Sequence, residues 1–205
     1  IAGFKELGGE IIEDEVVDVI SKKNEIEIKT KNVNLNADNI LISSGVYSES
    51  FSKKFGVEVP IQSERGYHLE LFETNIRIKY PIMNGYLKLA ITPRPTGIRF
   101  AGLVEFGSIN SKPNKKAYEL LLRNANSIFP GITYERKHEW SGHRPSTVDS
   151  LPIIGSSEID NKIFFAYGHH HIGLTAGPKT GEMIGKNILR DNNQYDLKPY
   201  SPDRQ

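Results

Sequence analysis

The chain has 205 residues, of which 38% are hydrophobic and 25% are charged, a composition that is typical of a globular protein with a sizeable core. Its 26 basic and 25 acidic residues leave a formal net charge of +1 at pH 7, so no bulk positive field exists to attract nucleic acid. Cysteine is absent, which excludes disulfides, thiolate catalysis and cysteine-ligated metal centres and is compatible with a cytoplasmic location. No apolar run approaches the ~20 residues that a membrane helix needs.

The first part of the chain predicts a short helix followed by short strands. A helix that ends at glycine is expected at residues 4–9. Compact or alternating apolar runs predict strands at residues 10–12, 15–21, 25–30 and 38–43. After Ser44 and Gly45, a short helix is expected at residues 46–55.

The middle of the chain predicts an antiparallel sheet with one packing helix. Turn sequences at Asn84-Gly85 and at residues 93–97 separate the β-like runs. These runs cover residues 62–72, 76–81, 86–92 and 97–104. Apolar residues at helical spacing then predict a helix at residues 114–129, which Pro130-Gly131 ends.

The last part predicts a mixture of strand and helix. A loop rich in glycine and proline is expected at residues 141–155, followed by a strand at 162–167, a turn at 168–172 and a helix at 173–189. After Arg190 the composition is polar and rich in proline, which predicts a loose end. The chain as a whole is therefore expected to be α/β (α+β).

The junction of turn and helix at residues 168–175 is a candidate ligand site, because the start of a helix exposes unpaired N–H groups and partial positive charge. The helix also repeats glycine every four residues, at Gly173, Gly177, Gly181 and Gly185. Glycine costs a helix ~1 kcal/mol per residue relative to alanine. We therefore expect a sheet, another helix or a flat ring to approach this glycine face closely.

Two further features suggest chemistry. Arg144 offers a planar fork that can pair with a carboxylate; the alternatives are a surface arginine or an ion pair with Asp149. The run His169-His170-His171 invites comparison with a metal site, but adjacent residues project in different directions and no Asp or Glu stands at ligand spacing. We expect these histidines to line a polar cleft, with no metal.

Two segments of the chain resemble a known family signature. They are Trp140-x-Gly-x-Arg-Pro-x-x-x-Asp-x-x-Pro-x-Ile-Gly155 and Gly168-His-x-x-x-Gly-x-Thr-x-x-Pro-x-x-Gly181. Together they are similar to the carboxy-terminal signature of the D-amino acid oxidase superfamily, above all to D-amino acid dehydrogenase-like and glycine oxidase-like flavoproteins. Residues 40–48 resemble that family's strand ending in Ala-Gly-x-Trp-Ser, with Tyr47 in place of tryptophan, and residues 64–68 resemble its Arg-Gly-Tyr entry to the substrate domain.

The resemblance implies an FAD-dependent oxidoreductase that acts in amino acid catabolism. The C–N bond of a D-amino acid or related amino acid would be oxidised by hydride transfer to flavin, without a catalytic base. Arg144 would bind the substrate carboxylate, and Tyr67 and His68 would approach the substrate pocket. The residues implied to contact FAD are Gly45, Gly142, Pro145, His169, Gly173, Leu174 and Thr175.

The resemblance also implies the domain organisation. Residues 1–59 and 139–205 would form part of a Rossmann-like FAD-binding domain, and residues 60–138 a substrate-binding antiparallel sheet. The family's Gly-x-Gly-x-x-Gly fingerprint does not occur, and the first residue is Ile1. We therefore expect a truncated or processed piece that binds FAD poorly without an amino-terminal FAD-binding half.

Several alternatives remain open. The chain could be a non-catalytic fragment, a subunit that needs a separate dinucleotide-binding half, or a remnant that only forms a homo-oligomer. A different flavoprotein activity, on sarcosine, proline or a 2-hydroxy acid, would use the same arginine. The expected location is cytoplasmic, with peripheral association with the inner membrane left open.

Overall fold

The computed structural model describes residues 1–191 and 195–204. Its α-helices are α1 (Ala2–Glu6), α2 (Ser48–Ser52), α3 (Lys115–Ile128) and α4 (Gly173–Ile188). Its strands are β1 (Val16–Ser21), β2 (Ile26–Thr30), β3 (Asn34–Ala37), β4 (Ile40–Ile42), β5 (Ile61–Phe72), β6 (Ile82–Asn84), β7 (Leu89–Arg94), β8 (Gly97–Phe106), β9 (Arg136–Thr147), β10 (Ile153–Ser156) and β11 (Ile163–Tyr167). Short 3₁₀ turns lie at Gly45–Tyr47, Lys53–Phe55 and Lys198–Tyr200.

The chain divides into two compact units. Unit 1 comprises Ile1–Val59, Ile153–Tyr167 and Gly177–Gln205, and unit 2 comprises Pro60–Pro152 and Gly168–Ala176. The sequence-based domain limit at 138/139 differs from this division, because it falls inside β9. Pairing of β9 with β5 places residues up to Pro152 in unit 2. The assignment of one domain to FAD and the other to substrate stays a prediction.

Unit 1 contains two small sheets. One is an antiparallel sheet of order β1-β2-β3; the other has the order β10-β11-β4, in which β11 runs antiparallel to β10 and parallel to β4. Ile153, Ile163 and Phe165 are fully buried in the second sheet. Helix α4 packs Ile184 against Ile154 and Phe164, so the apolar side of α4 is attached to this sheet.

The carboxy-terminal residues also pack in unit 1. Leu197 and Tyr200 contact the cluster around α4, and Pro202 is buried. A Cβ at Gly155 would lie 3.2 Å from the Pro202 ring. The expectation of a loose end is therefore wrong for residues 195–204, while residues 192–194 lie outside the described residues.

Unit 2 is built on an antiparallel sheet of order β6-β7-β8-β5-β9. Helix α3 covers one face, and the side chain of Asn114 accepts a hydrogen bond from the Lys116 N–H (3.1 Å) at its amino terminus. The predicted helix at 114–129 is thus confirmed to within a residue at each end. The buried core between α3 and the sheet consists of Tyr67, Leu69, Leu71, Leu89, Ile91, Ile98, Phe100, Tyr118, Leu121, Ala125 and Ile132.

Strand alternation gives β5 and β9 two different faces. The odd-numbered residues of β5, including Tyr67 and Leu69, point into the α3 core. The opposite face, which we refer to as the polar face, carries Glu64, Gly66, His68 and Glu70 of β5, and across from them Arg144, Gly142, Trp140 and His138 of β9. This register brings together side chains that are about 70 to 80 residues apart in sequence.

The sequence predictions fail mainly at β9 and β10. The predicted loop at 141–155 is wrong, because β9 continues to Thr147 and β10 begins at Ile153. Proline in a strand argues for a loop, but β9 is an edge strand, where the missing N–H of Pro145 costs no ladder bond. The strands predicted at 10–12 and 76–81 are not formed, and β3 and β6 were not predicted.

Candidate active site

Arg144 lies on β9, directly across from Glu64 of β5. Its Nη1 donates a hydrogen bond to Glu64 Oε1 at 3.0 Å. The arginine side chain is 32% exposed and the glutamate 14%. The expected alternative of an ion pair therefore exists, with Glu64 as the partner in place of Asp149. One edge of the guanidinium is fixed by this contact while the group stays accessible to a ligand.

Gly66 makes the position of Arg144 possible. A Cβ at Gly66 would lie 2.4 Å from Nη2 and 2.5 Å from Cζ of Arg144, so the guanidinium rests on the bare backbone of β5. A planar group held in this way keeps N–H donors in a fixed orientation, which suits bidentate recognition of a carboxylate.

Glu64 holds more than the arginine. Ser146 Oγ donates to Glu64 Oε2 at 2.9 Å, and His170 Nδ1 lies 3.9 Å from the same oxygen. The Thr147 N–H donates to His170 Nε2 at 3.1 Å, so the neutral imidazole carries its proton on Nδ1, towards Glu64. These residues border a cavity of about 380 Å³ that is lined by Gln62, Glu64, Phe106, Ser146, Thr147, Val148, Ser150 and His170.

The histidine turn is attached to β9 by its backbone. The His170 N–H donates to the Pro145 carbonyl at 3.2 Å, and His169 forms an isolated bridge with Ser146. Gly168 and His170 adopt positive φ values of 87° and 51°, a conformation that costs a histidine more than a glycine. Burial lowers the pKa of His169, and His170 beside it lowers it further. Of the three histidines that were expected to line a cleft, His170 lines the cavity, and His171 is exposed.

Helix α4 begins directly after this turn. The Ala176 N–H donates to the Ile172 carbonyl at 2.9 Å, so within the described residues the N–H groups of Gly173, Leu174 and Thr175 precede the helical ladder. No acidic residue stands in the first turn, and Leu174 is 96% exposed. This helix start can donate to an anion or to a polar ring edge.

The glycine face of α4 is open. Apart from the nearby backbone of α4 itself, a Cβ at Gly177, Gly181 or Gly185 would meet no atom of the described residues within 4 Å. The expected close packing of a sheet or helix against this face is therefore not found in the part of the chain that the structure describes. Approach of a flat ring stays a prediction.

Gly142 and His68 both adjoin Trp140 on the polar face. A Cβ at Gly142 would lie 2.3 Å from the indole ring. The His68 ring stacks on Trp140 with centroids 4.7 Å apart and an angle of 14°. Burial, followed by the positive charge of Arg99, lowers the pKa of His68 to about 4. His68 thus lies on the same face as Arg144, as a neutral ring.

Tyr67 does not share that face. It is 3% exposed in the α3 core, and its ring meets Tyr118 edge-on at 5.3 Å. Its hydroxyl donates to the Glu105 carboxylate and accepts from the Asn114 N–H at 3.0 Å. The structure therefore does not place Tyr67 where it could approach a ligand beside Arg144. The contacts of Tyr67 are with residues of the α3 core and of the segment before α3.

Gly45 belongs to unit 1, where it opens the 3₁₀ turn after β4. Its φ of +60° lies in the left-handed region, and a Cβ would meet no described atom within 4 Å. Glycine is favoured here by backbone conformation and not by lack of space.

Arg144 keeps accessible N–H donors beside its contact with Glu64, and α4 begins at an exposed turn without an acidic residue. The family model described as FAD dependent oxidoreductase (DAO) matches residues 1–186. The chain belongs to this family, which confirms the resemblance stated from the two signature segments.

Two curated relatives illustrate the similarity. The chain is 30% identical over 183 residues to a D-amino-acid oxidase of Bradyrhizobium diazoefficiens. The aligned region covers 87% of this chain and 44% of that protein. It is 29% identical over 208 residues to the glycine oxidase of Bacillus subtilis. Here the aligned region covers 100% of this chain and 56% of that protein. The chain thus spans about half the length of these relatives.

A solved structure supports the fold. The glycine oxidase of Geobacillus kaustophilus superimposes with a TM-score of 0.82 at 21% identity, over 94% of this chain and 52% of that one. The mixed α/β architecture expected from the sequence is confirmed. No helix among the described residues has the length and apolarity needed to cross a membrane.

The family depends on FAD, and features of this chain fit that cofactor. The first turn of α4 offers N–H donors without a competing carboxylate. Such a surface suits the electron-rich edge of a flavin ring. Which atoms of FAD each residue contacts remains a prediction.

Proposed function

We propose that this chain forms the substrate-binding and flavin-facing part of an FAD-dependent enzyme that oxidises the C–N bond of a D-amino acid or glycine. Arg144 carries the proposal. Its guanidinium is fixed by Glu64 at 3.0 Å yet remains about one-third exposed, so it can receive a second carboxylate. Family membership supplies the redox chemistry.

Arg144 would bind the α-carboxylate through the N–H groups that Glu64 leaves free. Glu64 keeps the fork oriented before the substrate arrives, which lowers the entropic cost of forming two parallel hydrogen bonds. Holding the carboxylate fixes the position of the α-carbon and its C–H bond. Positioning of this kind can contribute much of a rate enhancement without an acid–base side chain, and we assign no catalytic base.

FAD, when bound, supplies the acceptor for the substrate hydride. The N–H groups of Gly173, Leu174 and Thr175 would stabilise negative charge on the flavin. Gly142, Pro145 and His169 would border its ring, and Gly45 would lie near the pyrophosphate or ribose.

The choice of an amino acid substrate draws on the relatives. The two proteins described above are named D-amino-acid oxidase and glycine oxidase, and both names denote substrates with an α-carboxylate. Arg144 suits any such substrate, so the side chain that is accepted must be found by experiment.

A second candidate function is that of a non-catalytic fragment, or a subunit that needs a separate dinucleotide-binding half. The relatives are about twice as long as the matched region, and no Gly-x-Gly-x-x-Gly occurs in these 205 residues. Since that motif holds the pyrophosphate on a helix in dinucleotide-binding proteins, the chain by itself would hold FAD weakly.

An absorbance spectrum separates the two candidates. The purified chain is incubated with FAD, desalted and scanned for a flavin band, and D-alanine and glycine are then added without oxygen. A retained band that either substrate bleaches would show that the chain suffices for catalysis. A colourless protein would favour the subunit alternative, and the same assay would then be applied after co-expression with an amino-terminal half.

The role of Arg144 is tested in the FAD-loaded enzyme with Arg144→Lys. We expect the Kd for the amino acid to rise about 100-fold, because lysine keeps the charge and loses the planar fork. FAD retention should not change. Arg136→Lys is the matched control, since Arg136 lies on the same strand and is 61% exposed. An equal loss of substrate and FAD binding in Arg144→Lys would refute the assigned role.

A further inference from the structure

A group of three side chains lies at the far end of the polar face, and only one of them, His68, is among the residues that the family resemblance places near the substrate pocket. His68, Glu70 and His138 each offer a ligand atom, and these atoms all lie within 4.8 Å of one another. His138 stands directly across from Glu70 in the β5–β9 register, and His68 is two residues along β5 on the same face. At ~3.3 Å per strand residue, His138 is roughly 20 Å from Arg144 along β9.

The histidine run at residues 169–171, for which the sequence predicts no metal, is a different group. Those histidines are adjacent in the chain, so their side chains diverge. His68, Glu70 and His138 converge because strand alternation and register place them on one face, with His138 far from the other two in sequence.

Glu70 is held in place by the surrounding side chains. It is 8% exposed, and Arg94 Nε lies 3.1 Å from its Oε1. The other oxygen, Oε2, is 3.6 Å from His138 Nδ1, which is too long for a hydrogen bond. One carboxylate oxygen is therefore fixed by arginine while the other faces an imidazole nitrogen with space between them.

His68 contributes an unsatisfied atom. Its Nδ1 is buried and has no hydrogen-bond partner in the part of the chain that the structure describes. Stacking on Trp140 fixes the plane of the imidazole ring. Buried polar atoms are nearly always paired in folded proteins, so this ring has a nitrogen for which the described residues supply no partner.

The surrounding charges narrow the kind of ion. Arg94 and Arg99 lie close to the group, so the local field does not favour a cation that is attracted by charge alone. Ca²⁺ and Mg²⁺ need several oxygen ligands, and this group has one carboxylate. Imidazole nitrogens bind zinc-type ions covalently, and two His with one Glu is a known ligand set for such ions.

We propose that His68, Glu70 and His138 bind a divalent transition-metal ion of the zinc type, with a fourth position left to water. This site is separate from the substrate arginine and does not depend on the proposed oxidase activity. Because it joins β5 to the edge strand β9, the bound ion would also stabilise that pairing.

Trp140 provides the measurement, since it is the chain's one tryptophan and stacks on His68. In the tag-free full chain, Co²⁺ should quench tryptophan fluorescence in a saturable 1:1 titration, and Zn²⁺ should compete with it. Calorimetry with Zn²⁺ gives stoichiometry and Kd independently of the fluorophore. His138→Ala should lower the affinity for both ions at least about tenfold, because it removes one of the three ligands.

Two further variants make the test decisive. His171→Ala removes an exposed histidine from the other group and should leave the Zn²⁺ affinity unchanged. Glu70→Gln keeps the size of the side chain and should weaken binding, with circular dichroism confirming that each variant is folded. Absence of Zn²⁺ binding below about 100 μM in the wild-type chain, or equal affinity in His138→Ala and wild type, would overturn the proposal. If His171→Ala loses as much Zn²⁺ affinity as His138→Ala, the ion binds at residues 169–171, and this result would also overturn the proposal.

Discussion

Arg65 on the core face of the β5–β9 pair and Arg144 on its polar face differ in what surrounds them. On the core face Arg65 is 3% exposed, and its Nη atoms donate to the Lys112 carbonyl at 2.9 Å, to the Ser111 carbonyl at 2.5 Å and to Glu105 at 3.2 Å. On the polar face Arg144 is 32% exposed, and Glu64 is its one ion-pair partner among the described residues.

This difference separates an arginine that is structural from one that can act on a ligand. The donors of Arg65 are directed at carbonyls of the segment before α3, so they hold that segment to the sheet. The guanidinium of Arg144 is oriented by Glu64 and Gly66, and Nη1 is the one nitrogen that donates to Glu64. Identical side chains on paired strands thus acquire different roles from strand parity and from the number of acceptors nearby.

The largest expected effect is that of Arg65→Met. Removing a buried guanidinium leaves the Ser111 and Lys112 carbonyls without their donor, so we expect a loss of about 3 kcal/mol in the free energy of unfolding. Urea denaturation measures it. Arg144→Met, its counterpart on the polar face, should cost less, about 1–2 kcal/mol, because it removes one hydrogen bond while Glu64 keeps the one from Ser146. Equal losses in the two variants would break the distinction drawn between the faces.

Tyr67→Phe tests the core face at the residue that the family resemblance placed near the substrate. The variant loses two hydrogen bonds, with Glu105 and with the Asn114 N–H, and we expect a cost of about 1–2 kcal/mol in unfolding free energy. The Kd for the amino acid in the FAD-loaded enzyme should not change. A weaker substrate affinity with unchanged stability would instead support the role implied by the resemblance.

Much of the fold could be predicted from sequence because its signals are local. The periodicity of α3 and the apolar run of β11 followed by a glycine turn are both contained in short windows, and both elements formed as predicted. Strand β9 was missed because its glycine and proline residues favour a loop. Its strand structure comes from twelve residues of pairing with β5, a tertiary effect that local propensity does not contain.

The candidate site shows the same limit. Arg144 could be identified from its motif, but Glu64 could not, since its importance depends on the register that sets it across from Arg144. The same register brings His138 to Glu70. The separation of Tyr67 from His68 was predictable in principle, because neighbours in a strand point to opposite faces and a strand was expected at 62–72.

The smallest effect on stability, and the one that sharpens the comparison most, is expected for Gly66→Ala. The added Cβ would lie 2.4 Å from Arg144 Nη2, so the guanidinium must move away from the backbone and from Glu64. Because a flexible side chain can make that shift, the cost in unfolding free energy should stay below about 1 kcal/mol. A displaced guanidinium binds a carboxylate less well, and we expect the Kd for the amino acid to rise about tenfold.

Gly107→Ala is the control, since a Cβ there would meet Ser111 Oγ at an ordinary 3.8 Å and should leave the Kd unchanged. If Gly66→Ala binds the amino acid as tightly as wild type, then the orientation of Arg144 by β5 is not what makes it a carboxylate receptor, and exposure alone would distinguish it from Arg65.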